Sequence, residues 1–246
     1  MPRQNQPFKK ASSMISDIIK FLDKHATAFT HQGTRISHYF EMSCYNDVVE
    51  FYIKNGFTVK PQNLINRQFR YKIGANGNPD NFSHFVVSKN VRRKLYEFEI
   101  HHNLSIESPF ESEIFYTADI SVITKGSIVR ISPETYTQHR SGWRGASVQT
   151  FFEVKHMSPF PELLFSFVGI PENLLVKDNR VENIKHLAPS LLMSGKANFH
   201  GKKIKDYLEN KYIVNIIFDI FGTPSVIYSK RHSKKMIGTL EEAWDF

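Results

Sequence analysis

One cysteine, Cys44, stands among 246 residues, so no disulfide can close within the chain and no Cys-x-x-Cys pair is present to hold zinc. That usage fits a reducing compartment, and a cytoplasmic location is the expectation. Long apolar runs are also missing. The most hydrophobic stretch, residues 212–221, is about half of the roughly 20 residues that a membrane-spanning helix needs, and it carries Asn215 and Asp219. No apolar segment of the signal-peptide kind follows the polar first residues, so export is not expected. Internal repeats, low-complexity tracts and clear linkers are absent as well, which excludes solenoid and fibrous designs. Acids are the scarcer charge: 24 Asp and Glu face 32 Lys and Arg, leaving a net charge of +8. Such a balance favours a polyanion or an anionic membrane surface as partner, without choosing between them.

What is present is material for a core. Hydrophobic residues make up 41% of the chain and aromatics 13%, including 21 Phe, which excludes a wholly disordered protein. A length of 246 residues suits one large domain or a domain with an appendage. Residues 1–11 carry Arg3, Lys9 and Lys10 with no acid and read as a basic arm. Met14, Ile15, Ile18, Ile19 and Leu22 then recur at helical spacing, with serine available as an N-cap. A second helix is expected over residues 43–55, capped near Ser43 and ended by Gly56.

From Phe57 the period shifts toward two, predicting strands near residues 69–73, 83–88 and 95–100 in a meander, then 115–123 and 150–155. Pro161 suits the first turn of a helix over residues 162–168. Another helix is expected at 204–209, and the apolar run from Tyr212 reads as a last core strand. This order predicts an α+β fold of α/β/α type, a mixed central sheet flanked by helices.

The chemistry concentrates at residues 151–155. On a strand, alternate side chains share a face, so Glu153 and Lys155 project together while Phe152 and Val154 project oppositely. Asp119 lies on another apolar strand, and if the two strands are neighbours the three groups converge. Two carboxylates supply the hard oxygen ligands that Mg²⁺ (or Mn²⁺) prefers, and the lysine can orient water or offset developing charge. A solvated ion pair is the bland alternative. The apolar neighbours Phe151, Phe152 and Val154 argue for a covered central strand, where an unpaired charge would cost several kcal/mol.

Asp119, followed by Glu153, Val154 and Lys155 on a later strand and by a helix after Pro161, resembles the PD-(D/E)XK nuclease superfamily. The resemblance spans residues 43–221 in element order and rests on a three-residue motif; Ala118 stands where the motif often has proline, and a long insertion separates the two acids. It implies a restriction-endonuclease-like core with an extra N-terminal helix and meander. Residues 1–42 would form the arm and helix packed on that core, and residues 43–246 a single nuclease-like domain. It further implies Asp119, Glu153 and the backbone carbonyl of Val154 as metal ligands and Lys155 as a catalytic group. Members also use an acid from the preceding helix or strand. Here the options are Glu50, slightly preferred because it lies beside Val49 and Ile53, and Glu97 or Glu99, which share a face.

Histidines His101 and His102 read as surface or satisfied core residues, whereas His156 follows the motif directly. Phosphate contacts are expected from Arg92 and Arg93, from Lys202 and Lys203, and from Arg140, Trp143 and Arg144 in the insertion between the motif strands. The expected function is thus Mg²⁺-dependent phosphodiester hydrolysis, with DNA favoured over RNA, no membrane role, and a part in prokaryotic defence or DNA processing that only the resemblance implies. Double-strand cleavage by one site would need a homodimer or sequential nicks. The alternative is a catalytically inactive nucleic-acid-binding or assembly protein with the same fold.

Overall fold

A computed structural model describes residues 10–30, 33–127, 129–130, 143–144, 147–174, 184–220 and 235–237. The chain opens with α1 (Ala11–Asp23), whose Met14, Ile18, Phe21 and Leu22 form one buried stripe. No serine caps it: Lys10 takes the N-cap position, and Ser13 Oγ donates instead to the Lys10 carbonyl at 2.7 Å. After the two-residue β1 (Ala28–Phe29) comes α2 (Ile36–Lys54). This helix buries Tyr39, Phe40, Met42, Cys44, Tyr45, Asn46, Val48, Val49, Phe51 and Tyr52, so it is enclosed on several sides. It begins seven residues before Ser43, which sits inside it rather than capping it, and the division at residues 42/43 therefore falls within α2. Its end matches expectation. Gly56 at φ +79° donates to the Ile53 carbonyl at 3.0 Å and Phe57 to that of Tyr52 at 3.0 Å, the paired bonds of a Schellman stop.

Then follow β2 (Thr58–Gln62), β3 (Gln68–Phe69), a 3₁₀ turn, β4 (His84–Val91), β5 (Lys94–Glu107) and β6 (Phe115–Thr124). Short strands β7 (Val129–Arg130) and β8 (Trp143–Arg144) precede β9 (Val148–Lys155). The rest comprises α3 (Pro161–Phe167), α4 (Ile170–Asn173), β10 (His186–Leu187), β11 (Ser190–Met193), α5 (Phe199–Lys211), β12 (Asn215–Ile217) and β13 (Met236–Ile237).

The main sheet runs β12-β11-β9-β6-β5-β4-β2, with β8 attached at β5. Strands β2, β4, β5 and β6 form an antiparallel meander, β9 continues it, and β9, β11 and β12 are mutually parallel. Parallel strands need crossovers, and α3 with α4, then α5, fill them. The fold is therefore α+β with a mixed sheet flanked by helices. Strand β11 is absent from the sequence reading, since four residues show too little periodicity to mark a strand. Among the described residues no helix is long and apolar enough to cross a membrane.

Two apolar layers sandwich the sheet. One joins α1 and α2 to Phe98, Ile100, Ile120, Val122, Phe152 and Val154; the other joins α3 and α5 to Leu104, Ile106, Ala118, Phe151, Leu191 and Met193. Strict alternation would keep Ile100 and Leu104 on one side, yet they belong to opposite layers, as do Ile120 and Ala118. Both strands change face between these residues. The change coincides with Asn103, held at φ +51° and lying opposite Asp119 between the pairs His102↔Ile120 and Leu104↔Ala118. Asparagine tolerates this left-handed conformation better than most residues. The buried Lys72 clamps it: Nζ donates to the Asn103 carbonyl at 2.7 Å, and Asn103 Nδ2 donates to the Lys72 carbonyl at 2.9 Å.

Candidate functional site

The face change in β6 determines where Asp119 points. The β6–β9 ladder ends at Ile120↔Phe152, and just beyond it the Asp119 carboxylate takes the place of a backbone acceptor: Oδ2 accepts from the Val154 amide at 2.6 Å. The same oxygen lies 2.9 Å from Lys155 Nζ, which in turn lies 2.7 Å from Glu153 Oε2. The hydroxyl of Tyr116, three residues before Asp119 on β6, donates to Glu153 Oε1. Asp119, Glu153 and Lys155, which periodicity could only align strand by strand, thus meet at one end of adjacent strands.

Electrostatics mark the cluster as short of positive charge. Burial, then repulsion from Asp119, pushes Glu153 above the usual carboxylate range, against the pull of Lys155 and Tyr116. Burial also works against the Lys155 charge, but Asp119 and Glu153 outweigh it and hold the ammonium above the ordinary lysine range. Lys155 therefore stays protonated at neutral pH and occupies the position between two carboxylates that a cation would take. Burial and the Glu153 charge raise Tyr116 too, so it remains a donor.

A third acid faces the cluster, and the sequence reading missed it. Glu41, in the first turns of α2, is pushed up to about 7 by burial, then by Asp119, with Lys155 and a hydrogen bond from Asn103 opposing and Glu153 adding. His102 Nε2 lies 3.9 Å from Glu41 Oε2; burial, with Lys72 and His38, pushes this imidazole down to about 3, so the contact adds no positive charge. A signal for Glu41 exists in the sequence. Extending the helical period of Tyr45, Val48 and Tyr52 upstream places Glu41 on the buried stripe, but a helix begun at Ser43 cuts it off.

The other expected acids go elsewhere. Glu50 pairs with Lys24, the C-cap of α1, at 2.7 Å and lies nine residues beyond Glu41, about 13 Å along the helix. Glu99 pairs with His101, its carboxylate 3.0 Å from Nε2, and Glu97 with Lys125 at 3.1 Å. Glu99 sits opposite Ile123, four residues along β6 from Asp119, or about 13 Å.

Among the expected phosphate contacts, Arg92 and Arg93 are exposed at the tip of the β4–β5 hairpin, both with positive φ. Ten residues of β5 separate Arg93 from Asn103, about 33 Å of strand, so this pair is remote from the acids. Lys202 and Lys203 are exposed on α5, with Lys203 Nζ 4.9 Å from the Phe199 ring centre. Trp143 and Arg144 form β8, which pairs with β5 at Ile106, three residues beyond Asn103. Arg140 lies outside the described residues. The segment after Lys155 leads to α3 and exposes Met157 and Phe160. Gly195, after β11, is held against it: a Cβ there would lie 2.6 Å from the Met157 carbonyl oxygen.

Comparison with known proteins returns no matching family model, no matching curated protein and no matching solved structure.

Proposed function

We propose that this chain is a metal-dependent phosphodiesterase acting on nucleic acid, a DNA endonuclease in the first instance, built on a restriction-endonuclease-like core of PD-(D/E)XK type. The observation that carries this reading is the convergence of Asp119, Glu153 and Lys155 at the ends of β6 and β9, with Glu41 reaching the same cluster from the preceding helix. Element order supports it as well: helix α2, strands β5, β6 and β9, helix α3, then a parallel strand.

The donor set suits Mg²⁺ or Mn²⁺. Carboxylate oxygens crowd a site where the Asp119 charge already raises Glu153 and Glu41, and the Lys155 ammonium stands in for the charge they lack. Asp119, Glu153 and the Val154 carbonyl would hold the ion. When bound, it would lower the pKa of coordinated water and offset charge on the phosphoryl oxygens. With an ion held there, Lys155 would serve as an ammonium donor to the attacking water or to a phosphate oxygen. Glu41, balanced near neutrality, can accept a proton from that water. Tyr116 orients Glu153 by donating to it. The net charge of +8 and the exposed Lys202, Lys203 and Phe199 on α5 would hold the polyanion nonspecifically.

The test is incubation of the purified chain with plasmid DNA and Mg²⁺ beside Glu153→Ala and Lys155→Ala. Nicked or linear product from the native chain, reduced by at least about a hundredfold in each variant, is expected. Mg²⁺ should raise the melting temperature of the native chain and not that of Glu153→Ala. Equal cleavage in all three proteins would overturn the mechanism. Salt-dependent DNA binding with neither cleavage nor a Mg²⁺ shift would instead establish the inactive binding protein.

A further inference from the structure

A second cluster of ligand-type side chains stands apart from the acids. His84, near the start of β4, faces His101 of β5 across the antiparallel ladder, in the register that pairs Phe85 with Ile100 and Val86 with Glu99. Glu99 is two residues from His101 on the same strand and so shares its face. The imidazoles of His84 and His101 stack, with centres 4.5 Å apart and planes 20° from parallel. His101 Nε2 is 3.0 Å from Glu99 Oε2, and one ligand atom from each of the three residues lies within 4.8 Å of the other two.

We propose that His84, Glu99 and His101 form a binding site for one zinc-class divalent cation, separate from the acidic cluster at Asp119 and Glu153. Two imidazoles and one carboxylate are a borderline nitrogen and oxygen set, which suits Zn²⁺ and disfavours Mg²⁺. Three protein ligands leave the fourth tetrahedral position to water. The dimensions agree. Ligands about 2.0–2.1 Å from a tetrahedral ion stand about 3.3 Å from each other. The His101–Glu99 separation is already near that value, and closing the remaining gap from within 4.8 Å needs only small side-chain rotations.

The site is also built rather than casual. The side chains of His101 and Glu99 are only 11% and 13% exposed, and the Gly126 backbone, in the turn after β6, lies near the Glu99 carboxylate. Such outer contacts hold a ligand in orientation. The strands themselves hold the imidazoles, because β4 and β5 are paired along seven positions from Phe85↔Ile100 to Val91↔Lys94. A bound ion would tie β4 to β5 covalently in effect, next to the edge strand β2. None of this depends on the nuclease reading.

The full-length chain, stripped with a chelator and titrated with ZnCl₂ in calorimetry with excess Mg²⁺ present, should take up one equivalent of Zn²⁺. Glu153→Ala should retain that equivalent. His84→Ala and His101→Ala should bind more than about tenfold more weakly. No uptake by the native chain, or native affinity in both histidine variants, would overturn the proposal. A measurement on the unaltered protein guards against variants that do not fold: the ring-proton resonances of two histidines should shift together and saturate at one equivalent. Histidine resonances unmoved by Zn²⁺ would overturn it equally.

Discussion

The two polar clusters lie on one sheet, about four residues apart along the β5–β6 ladder, yet they are built from opposite materials. At Asp119, Glu153 and Lys155 the ligand-type groups are oxygens, and three carboxylates, with Glu41, face one ammonium. At His84, Glu99 and His101 one carboxylate faces two imidazoles. Burial and the neighbouring His101 push His84 down to about 3, so the ring presents a neutral nitrogen there. A sheet sets spacing, and donor chemistry then sets what can bind. The first cluster suits a hard ion between oxygens and the second a borderline ion on nitrogen. The geometry also differs. The imidazole cluster follows simple alternation across β4 and β5, whereas the acidic cluster exists because β5 and β6 break alternation at Asn103 and Asp119.

Asp119→Asn gives the largest separation of the two. It removes the charge that pairs with Lys155 and accepts from the Val154 amide, and should lower plasmid cleavage by about a thousandfold while Zn²⁺ uptake at the imidazoles stays at one equivalent. Loss of both in one variant, measured by gel assay and calorimetry, would show that the clusters are a single unit.

Glu41→Gln tests the acid that joins from α2. A carboxylate raised to about 7 by burial and by Asp119 binds its proton more tightly in the folded chain than in the unfolded one, so its contribution to stability falls as pH rises from about 4.5 to 7 and stays unfavourable above. Discounted for its partial exposure, the penalty is about 2 kcal/mol. Glu41→Gln should therefore be about 2 kcal/mol more stable than the native chain at pH 8, with the gap closing toward pH 5, and less active in cleavage. Urea denaturation at the two pH values measures the first, and equal stability at pH 8 would remove Glu41 from the buried cluster.

Glu50→Gln is the small-effect control on the same helix. Its partner Lys24 has a side chain 63% exposed, so the change should stay within about 0.5 kcal/mol and leave cleavage intact. A large loss of cleavage would return Glu50 to the site.

The contrast between Glu41 and Glu50 also shows where sequence reading stops. Asp119, Glu153 and Lys155 were legible because each interrupts an apolar strand with a charge that solvent could not easily satisfy. Helix α2 was legible from Tyr45 onward and at its glycine stop, but its start was not, because Arg35 caps it without a side-chain bond and Ser43 offers a false cap inside it. Seven residues of boundary error were enough to exchange one acid for another. Strand β11 escaped for a different reason: it lies between parallel neighbours, buried on both faces, and so carries no alternation to read.

Local chemistry in the chain settled the element types, the core-forming residues, the excess of positive charge and the three charged residues on β6 and β9, because periodicity and burial cost act over a few neighbouring residues. The partners were decided in three dimensions. The left-handed turn of Asn103 opposite Asp119, the arrival of Glu41 from α2 and the pairing of His84 with Glu99 and His101 depend on strand register and helix packing, which bring together residues that the chain keeps far apart.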